Sequence, residues 1–265
     1  MTSKSAATSK NPTTSNTLHG TSALITGASS GIGRATALRL AAAGAAVALA
    51  ARRADRLEAL ATEIREHGGT AIVIAADLTN AQAAADAVAT TVSRLGRLDT
   101  LVNAAGVMLN GPSEESPLWE WDRMVDINLR GLMYVTKAAV PPLLSAAKTS
   151  RRAVADVVNI SSVAGRFAAP TVAIYNATKF AVTGATEAWR QEYATRDLRF
   201  SVIEPGRTES ELFAQKANSD TDFTAAFGDV EALHAADVAD AVGYIVTNPR
   251  RVAINEIVLR PTDQP

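Results

Sequence analysis

Short, nearly unbroken apolar runs recur along the chain, separated by longer stretches in which apolar residues return every three or four positions. The runs SALIT (22–26), AVALAA (46–51), AIVIAA (71–76), TLVNA (100–104), AVADVVNI (153–160), RFSVIE (199–204) and INEIVL (254–259) predict strands. Near-continuous apolarity suits strands covered on both faces, as in a parallel sheet. Residues 31–43, 54–67, 80–95 and 117–147 predict helices. In 54–67 the side chains of Leu57, Leu60 and Ile64 share one face, and Gly68-Gly69 stops the helix. Pro141-Pro142 predicts a break in 117–147, because proline lacks an N–H and its ring clashes with the preceding turn. Alternating strands and helices with right-handed crossovers predict an α/β fold. The expectation is a single-domain Rossmann-type doubly wound sheet of seven parallel strands with helices on both faces. Residues 20–265 form that domain in this reading. Residues 1–19, mostly Ser, Thr, Asn and Lys, are expected to be a flexible tail.

Composition narrows the function. The 265-residue chain has 26 Lys+Arg against 27 Asp+Glu, a net charge of −1. That balance argues against nucleic acid or an anionic membrane as the main partner. No cysteine is present, which removes disulfides, thiolate metal ligands and thiol nucleophiles. His19, His67 and His234 are far apart in sequence, so no metal site is expected. No apolar run reaches membrane-spanning length and no signal-peptide pattern opens the chain, so a cytoplasmic location is expected.

The first strand runs into TGASSGIG (26–33), which opens the first helix. Gly27, Gly31 and Gly33 form G-x-x-x-G-x-G, a variant of the dinucleotide fingerprint. Glycine allows a tight turn and close approach to a pyrophosphate, and a helix N-terminus offers free N–H groups. Further along, YNATK (175–179) places Tyr175 and Lys179 on one helix face. An ammonium about 4 Å from a phenol favours the phenolate by roughly 4 kcal/mol at an effective dielectric near 20. Lys179 could therefore make Tyr175 a working acid/base. Ser162 lies thirteen residues upstream, just past an apolar run, where an open sheet presents functional groups.

These motifs, with NAAG (103–106), VDINLRG (125–131), NISS and EPG (204–206), resemble the short-chain dehydrogenase/reductase family in content and order. PGRTESEL (205–212) and the ending EIVLRPTDQP resemble its branch containing clavulanic acid dehydrogenase and the NADP-dependent 3-hydroxy acid or serine 3-dehydrogenases. The resemblance implies that Tyr175 exchanges the proton and that Lys179 tunes it and holds the nicotinamide ribose. It implies that Ser162, rather than Ser161, holds the substrate oxygen and that Asn128 holds a relay water. It also implies an NADP(H) site along Gly27, Ser29, Ser30, Gly31, Ile32 and Gly33. Asp77 and Leu78, Asn103 to Gly106 (Ala104 and Ala105 between them), Ile160, Tyr175, Lys179, Pro205, Gly206, Thr208 and Ser210 would complete it. The family usually carries a second Asn where Ala104 stands, so a side-chain hydrogen bond is expected to be lost there. A substrate lid near 208–230, including Phe213, Phe223 and Phe227, and a homotetramer built from the long helices and the last strand are further implications.

The second strand ends at Arg52-Arg53, where an acidic residue would hold the adenosine ribose of NAD. Guanidinium groups suit the additional phosphate of NADP instead. Arg52 is expected to be the main contact, with Arg53 secondary and Ser29 assisting. The leading expectation is an NADP(H)-dependent oxidoreductase interconverting a carbonyl and an alcohol, the substrate being a 3-hydroxy acid or a small aldehyde or ketone. A catalytically silent NADPH-binding regulator is the alternative. A methyltransferase would have no obvious use for the Tyr, Lys and Ser set. Trp119 and Trp121 are expected to pack between helices or subunits, and Glu114-Glu115 to form a solvated turn. Arg166 is open between a carboxylate anchor and a surface arginine.

Overall fold

The computed structural model describes residues 17–212 and 228–265. Seven strands form one parallel sheet in the order β3-β2-β1-β4-β5-β6-β7. They are β1 (Ser22–Thr26), β2 (Ala46–Ala51), β3 (Ala71–Ala75), β4 (Thr100–Asn103), β5 (Ala155–Ile160), β6 (Leu198–Pro205) and β7 (Glu256–Leu259). The helices are α1 (Gly31–Ala42), α2 (Ala54–Glu66), α3 (Ala81–Leu95), α4 (Leu118–Val125), α5 (Leu132–Thr149), α6 (Ala173–Tyr193) and α7 (Ala235–Thr247). This is the doubly wound Rossmann-type fold that the alternation of apolar runs predicts. Among the described residues, no helix is long and apolar enough to cross a membrane.

Two apolar layers cover the sheet. On one face α1, α2 and α7 pack Leu40, Leu57, Leu60 and Val242 against Ile25, Leu49 and Ile203. On the other, α3 and α5 pack Val88, Val135, Ala139 and Leu143 against Leu24, Leu101 and Val157, joined by Trp189 of α6. The strand order reverses beside β1, whose Thr26 is in register with Ala50 of β2 and Asn103 of β4. A crevice therefore opens beyond the carboxyl ends of β1 and β4, where ligands bind in folds of this type.

Several expectations are corrected. Pro141 and Pro142 do not break the chain but lie inside α5. Pro141 is exposed, as is Lys137 one turn earlier, so the hydrogen bond that proline forfeits lies on the solvated side. The buried stripe Val135, Ala139, Leu143 and Ala146 runs through unbroken. The irregularity falls earlier, at a π-helical turn, Asp126–Gly131, between α4 and α5. Leu18, placed in the tail by composition, is buried at 1 % exposure, and its N–H bonds the Ala43 carbonyl at 2.9 Å. β5 begins at Ala155 rather than 153, because Ala153 turns the chain with φ of 51°. Phe213, Phe223, Phe227 and most of the expected lid lie outside the described residues.

The first helix can approach the sheet because two glycines carry no Cβ. A Cβ on Gly33 would stand 2.4 Å from the Gly27 carbonyl oxygen, and one on Gly27 2.8 Å from the Ala105 backbone. Gly27 also has a φ of 67°, which favours glycine. Gly33→Ala is expected to push α1 off the loop, lowering stability by about 2 kcal/mol in urea unfolding and weakening dinucleotide binding.

Candidate active site

A cavity of about 900 Å³ runs along the carboxyl edge of the sheet, within the range of cofactor and ligand pockets. At one end lies the turn between β1 and α1. Ser30 is the N-cap of α1 but makes no side-chain cap, so the first helical N–H groups have no hydroxyl across them. The Ser30 hydroxyl instead accepts from Arg53 Nη2 at 2.8 Å, and Ser29 accepts from Arg53 Nε and Nη2 at 3.1 and 2.9 Å. Arg53, rather than Arg52, is thus seated on the glycine turn. Arg52 is exposed on the cavity wall. Asp77 accepts from the Thr79 hydroxyl at 2.8 Å and backbone at 3.1 Å. Those bonds hold its carboxyl below the usual range, and the charges of Arg52 and Arg123 act in the same direction. Ile32 packs against the core face behind the turn, and Leu78 lines the wall.

The middle of the cavity is built on β4. Thr26 Oγ1 accepts from the N–H groups of Ala104 and Ala105 at 3.1 and 3.2 Å. That clamp uses backbone donors, so it survives alanine at position 104. The Asn103 side chain is turned away, donating to Thr136 at 3.0 Å and to Asn159 at 2.8 Å. Asn159 donates in turn to Thr186 at 2.8 Å. Gly106 leads to Val107, whose backbone both donates to and accepts from the Asn128 side chain, at 2.8 and 2.9 Å. Asn128, on the π-helical turn, also donates to Thr178 at 3.1 Å. Both its amide hydrogens are occupied, so its side chain ties the β4 loop to α6.

At the far end Ser162, Tyr175 and Lys179 converge. Ser162 follows β5 and caps a 3₁₀ turn, accepting from Ala164 N–H at 3.1 Å. Its own hydrogen reaches the Pro205 carbonyl only at 3.4 Å and is available for a better acceptor. Ser161 is turned into α6, donating to the Lys179 carbonyl at 3.1 Å. Tyr175 and Lys179 are each 5 % exposed. The ammonium donates to the Ile160 carbonyl at 3.0 Å and lies 5.6 Å from the Tyr175 ring centre. Burial pushes the Tyr175 phenol up to about 12, with the Ser162 hydrogen bond pulling down, and burial pushes Lys179 down to about 8. The tuning expected from spacing alone is therefore reversed in sign for the phenol. Desolvation of the phenolate exceeds the help of an ammonium this far from the ring.

The remaining wall adds Gln264, which pattern alone did not single out, to residues that it did. Gln264 accepts from Arg207 N–H at 2.8 Å, and a Cβ on Gly206 would stand 2.3 Å from its side-chain oxygen. Gly206 N–H bonds Leu259 of β7 at 2.7 Å, and Thr208 donates to the Gly206 carbonyl at 3.1 Å. Ser210 lies over Gly31. Trp119 stands on the cavity rim at 59 % exposure, whereas Trp121 packs in the cluster around Tyr175. Glu114 and Glu115 form an exposed turn. Arg166 pairs with the buried Glu204 and with Glu256, away from the cavity lining.

Fold and site together define an oxidoreductase of the dinucleotide-binding class. The profile described as short chain dehydrogenase matches residues 21–221, and the chain belongs to that family. It is 36 % identical over 251 residues to glycine betaine reductase ATRR of Emericella nidulans, covering 94 % of this chain but 19 % of that protein. It is 33 % identical to an uncharacterized oxidoreductase of Staphylococcus epidermidis, covering 90 % of this chain and 96 % of the other. A short chain dehydrogenase from Burkholderia cenocepacia in complex with NADP superposes with a TM-score of 0.81 at 30 % identity, over 92 % of this chain and 98 % of that one. The 3-ketoacyl-(acyl-carrier-protein) reductase of Brucella melitensis, complexed with NADH, also gives 0.81, at 28 % identity over 93 % and 99 % of the two chains.

A lysine held near 8 keeps its charge at neutral pH and loses it as pH rises through that value, where an ordinary lysine would not. In lysine-labelled protein, Lys179 is expected to titrate near 8 by NMR, below the reference value of about 10.4 for a free lysine. A Lys179 titration above 10 would contradict the assigned burial effect.

Proposed function

We propose that the protein is an NADP(H)-dependent reductase of aldehydes or ketones, working on a carbonyl/alcohol pair. The observation that carries this reading is the convergence of Ser162, Tyr175 and Lys179 on the cavity wall, with the phenol buried and so kept neutral. A phenol with its pKa raised keeps its proton at neutral pH, the form in which it can serve as the acid in reduction. In reduction, Ser162 orients the carbonyl oxygen and stabilises its developing charge, and Tyr175 supplies the proton to that oxygen. Lys179 holds its ammonium behind the phenol and can meet ribose hydroxyls from the Ile160 end of β5. NADPH, when bound, supplies the hydride.

The residues present fit that cofactor: a glycine turn that a Cβ would fill, a helix N-terminus without a side-chain cap, and Arg53 beside it with Arg52 near Asp77. Arg53 is the main phosphate contact in this reading and Arg52 the secondary one. The substrate end is lined by Met108, Leu109, Trp119, Val163, Phe167 and Leu212, which supports an apolar carbonyl compound. The 3-hydroxy acid reading loses its proposed anchor, since Arg166 is committed to two glutamates. A homotetramer in the cytoplasm remains the proposed state. Exposed Met133 and Phe180 on α5 and α6, and Tyr244 and Val258 on α7 and β7, offer two apolar faces for it.

Tyr175→Phe is expected to lower turnover at least 10³-fold on a panel of aldehydes and ketones while NADPH still binds, measured by steady-state kinetics and fluorescence titration. Turnover near wild type would refute the mechanism. Wild-type protein that binds NADPH without reducing any member of the panel favours a silent regulator. The same panel run with NADH is expected to show a clear NADPH preference, and a preference for NADH would refute the cofactor reading.

A further inference from the structure

Glu211 has no role in any motif, yet it closes the arginine end of the cavity. Its carboxylate accepts from Arg53 Nη1 at 2.7 Å and pairs with Arg56 through its other oxygen. Arg53 is thereby saturated on three sides: Nε and Nη2 lie on the serine hydroxyls of the glycine turn, and Nη1 lies on Glu211. The segment that carries Glu211 is pinned. Glu209 N–H bonds the Leu233 carbonyl at 2.8 Å, Leu233 N–H bonds the Arg207 carbonyl at 3.0 Å, and Ser210 rests over Gly31.

We propose that Glu211 is a cofactor-selecting residue, a carboxylate held where the 2′-phosphate of NADP(H) would meet Arg53, which lowers the margin by which NADP(H) is preferred over NAD(H). The proposal rests on the NADP(H) reading. A phosphate takes arginine best through two N–H groups side by side. The only edge of Arg53 not closed by Ser29 includes Nη1, so phosphate and Glu211 seek the same donor. Two anions there also repel each other. Glu211 is held down to about 2 by Arg53 and Arg56 and stays ionised at working pH. Arg56 retains the carboxylate once Arg53 is surrendered, so the exchange needs no unfolding of the segment. Glu211 and Arg53 are 45 % and 39 % exposed in their side chains. Solvent screening therefore makes the effect modest.

The test is calorimetric titration of full-length wild type and Glu211→Gln with adenosine 2′,5′-bisphosphate and with 5′-AMP. Wild type is expected to prefer the bisphosphate. Glu211→Gln is expected to bind the bisphosphate about five-fold more tightly and AMP equally well. Unchanged or weaker bisphosphate binding, or an equal gain for AMP, overturns the role of Glu211 while leaving the cofactor reading intact. A wild type with no preference for the bisphosphate overturns both.

Discussion

The placement of the reacting groups depends on a buried polar ladder beneath them. Thr136 of α5, Asn103 of β4, Asn159 of β5 and Thr186 of α6 are joined by hydrogen bonds of 2.8–3.0 Å, and none is more than 3 % exposed. Away from water each lost bond would leave an unpaid desolvation cost, so the ladder admits one register of the two helices against the sheet. α6 carries Tyr175 and Lys179, and β5 leads into Ser162. The Asn159–Thr186 bond thus joins the strand that leads into Ser162 to the helix that carries the other two. Asn128 repeats the device one layer higher, fixing the β4 loop to Thr178.

Much of this is legible in the sequence. Apolar runs of strand length, each followed by a helical period, define the sheet because strands buried on both faces have no polar alternative. The glycine turn is legible because its spacing has a steric cause, visible in the near-contact of Gly33 with Gly27. Other features depend on which way a side chain turns. Asn103 and Asn128 stand in recognisable motifs, yet both spend their amides on the scaffold. Arg52 and Arg53 are neighbours on the chain, and the end of β2 turns the second toward Ser29. Leu18 looks like tail by composition, since one apolar residue among polar ones has no period. Glu211 and Gln264 carry no local signal because their partners lie 158 and 57 residues away.

Burial also changes the acid/base argument. A pairwise estimate of tyrosine and lysine predicts a phenol with a lowered pKa, whereas burial in the enclosed site raises it and weakens the ammonium. Both shifts have one origin, the loss of water around a charge. Groups that restore polarity near Lys179 would therefore move both values back toward ordinary ones together.

The π-helical turn at Asp126–Gly131 joins α4 to α5 by five-residue rather than four-residue bonding. Such a turn holds one residue more than an α-helix would need, so the extra residue is absorbed while α4 and α5 keep a common phase. Deleting a single residue here would close the turn to α-helical bonding and leave Trp119 and Trp121 near their present faces. The change would fall instead on Asn128, whose bonds to Val107 and Thr178 depend on the widened turn. The bulge is thus where the scaffold makes room for the residue that ties the β4 loop to α6.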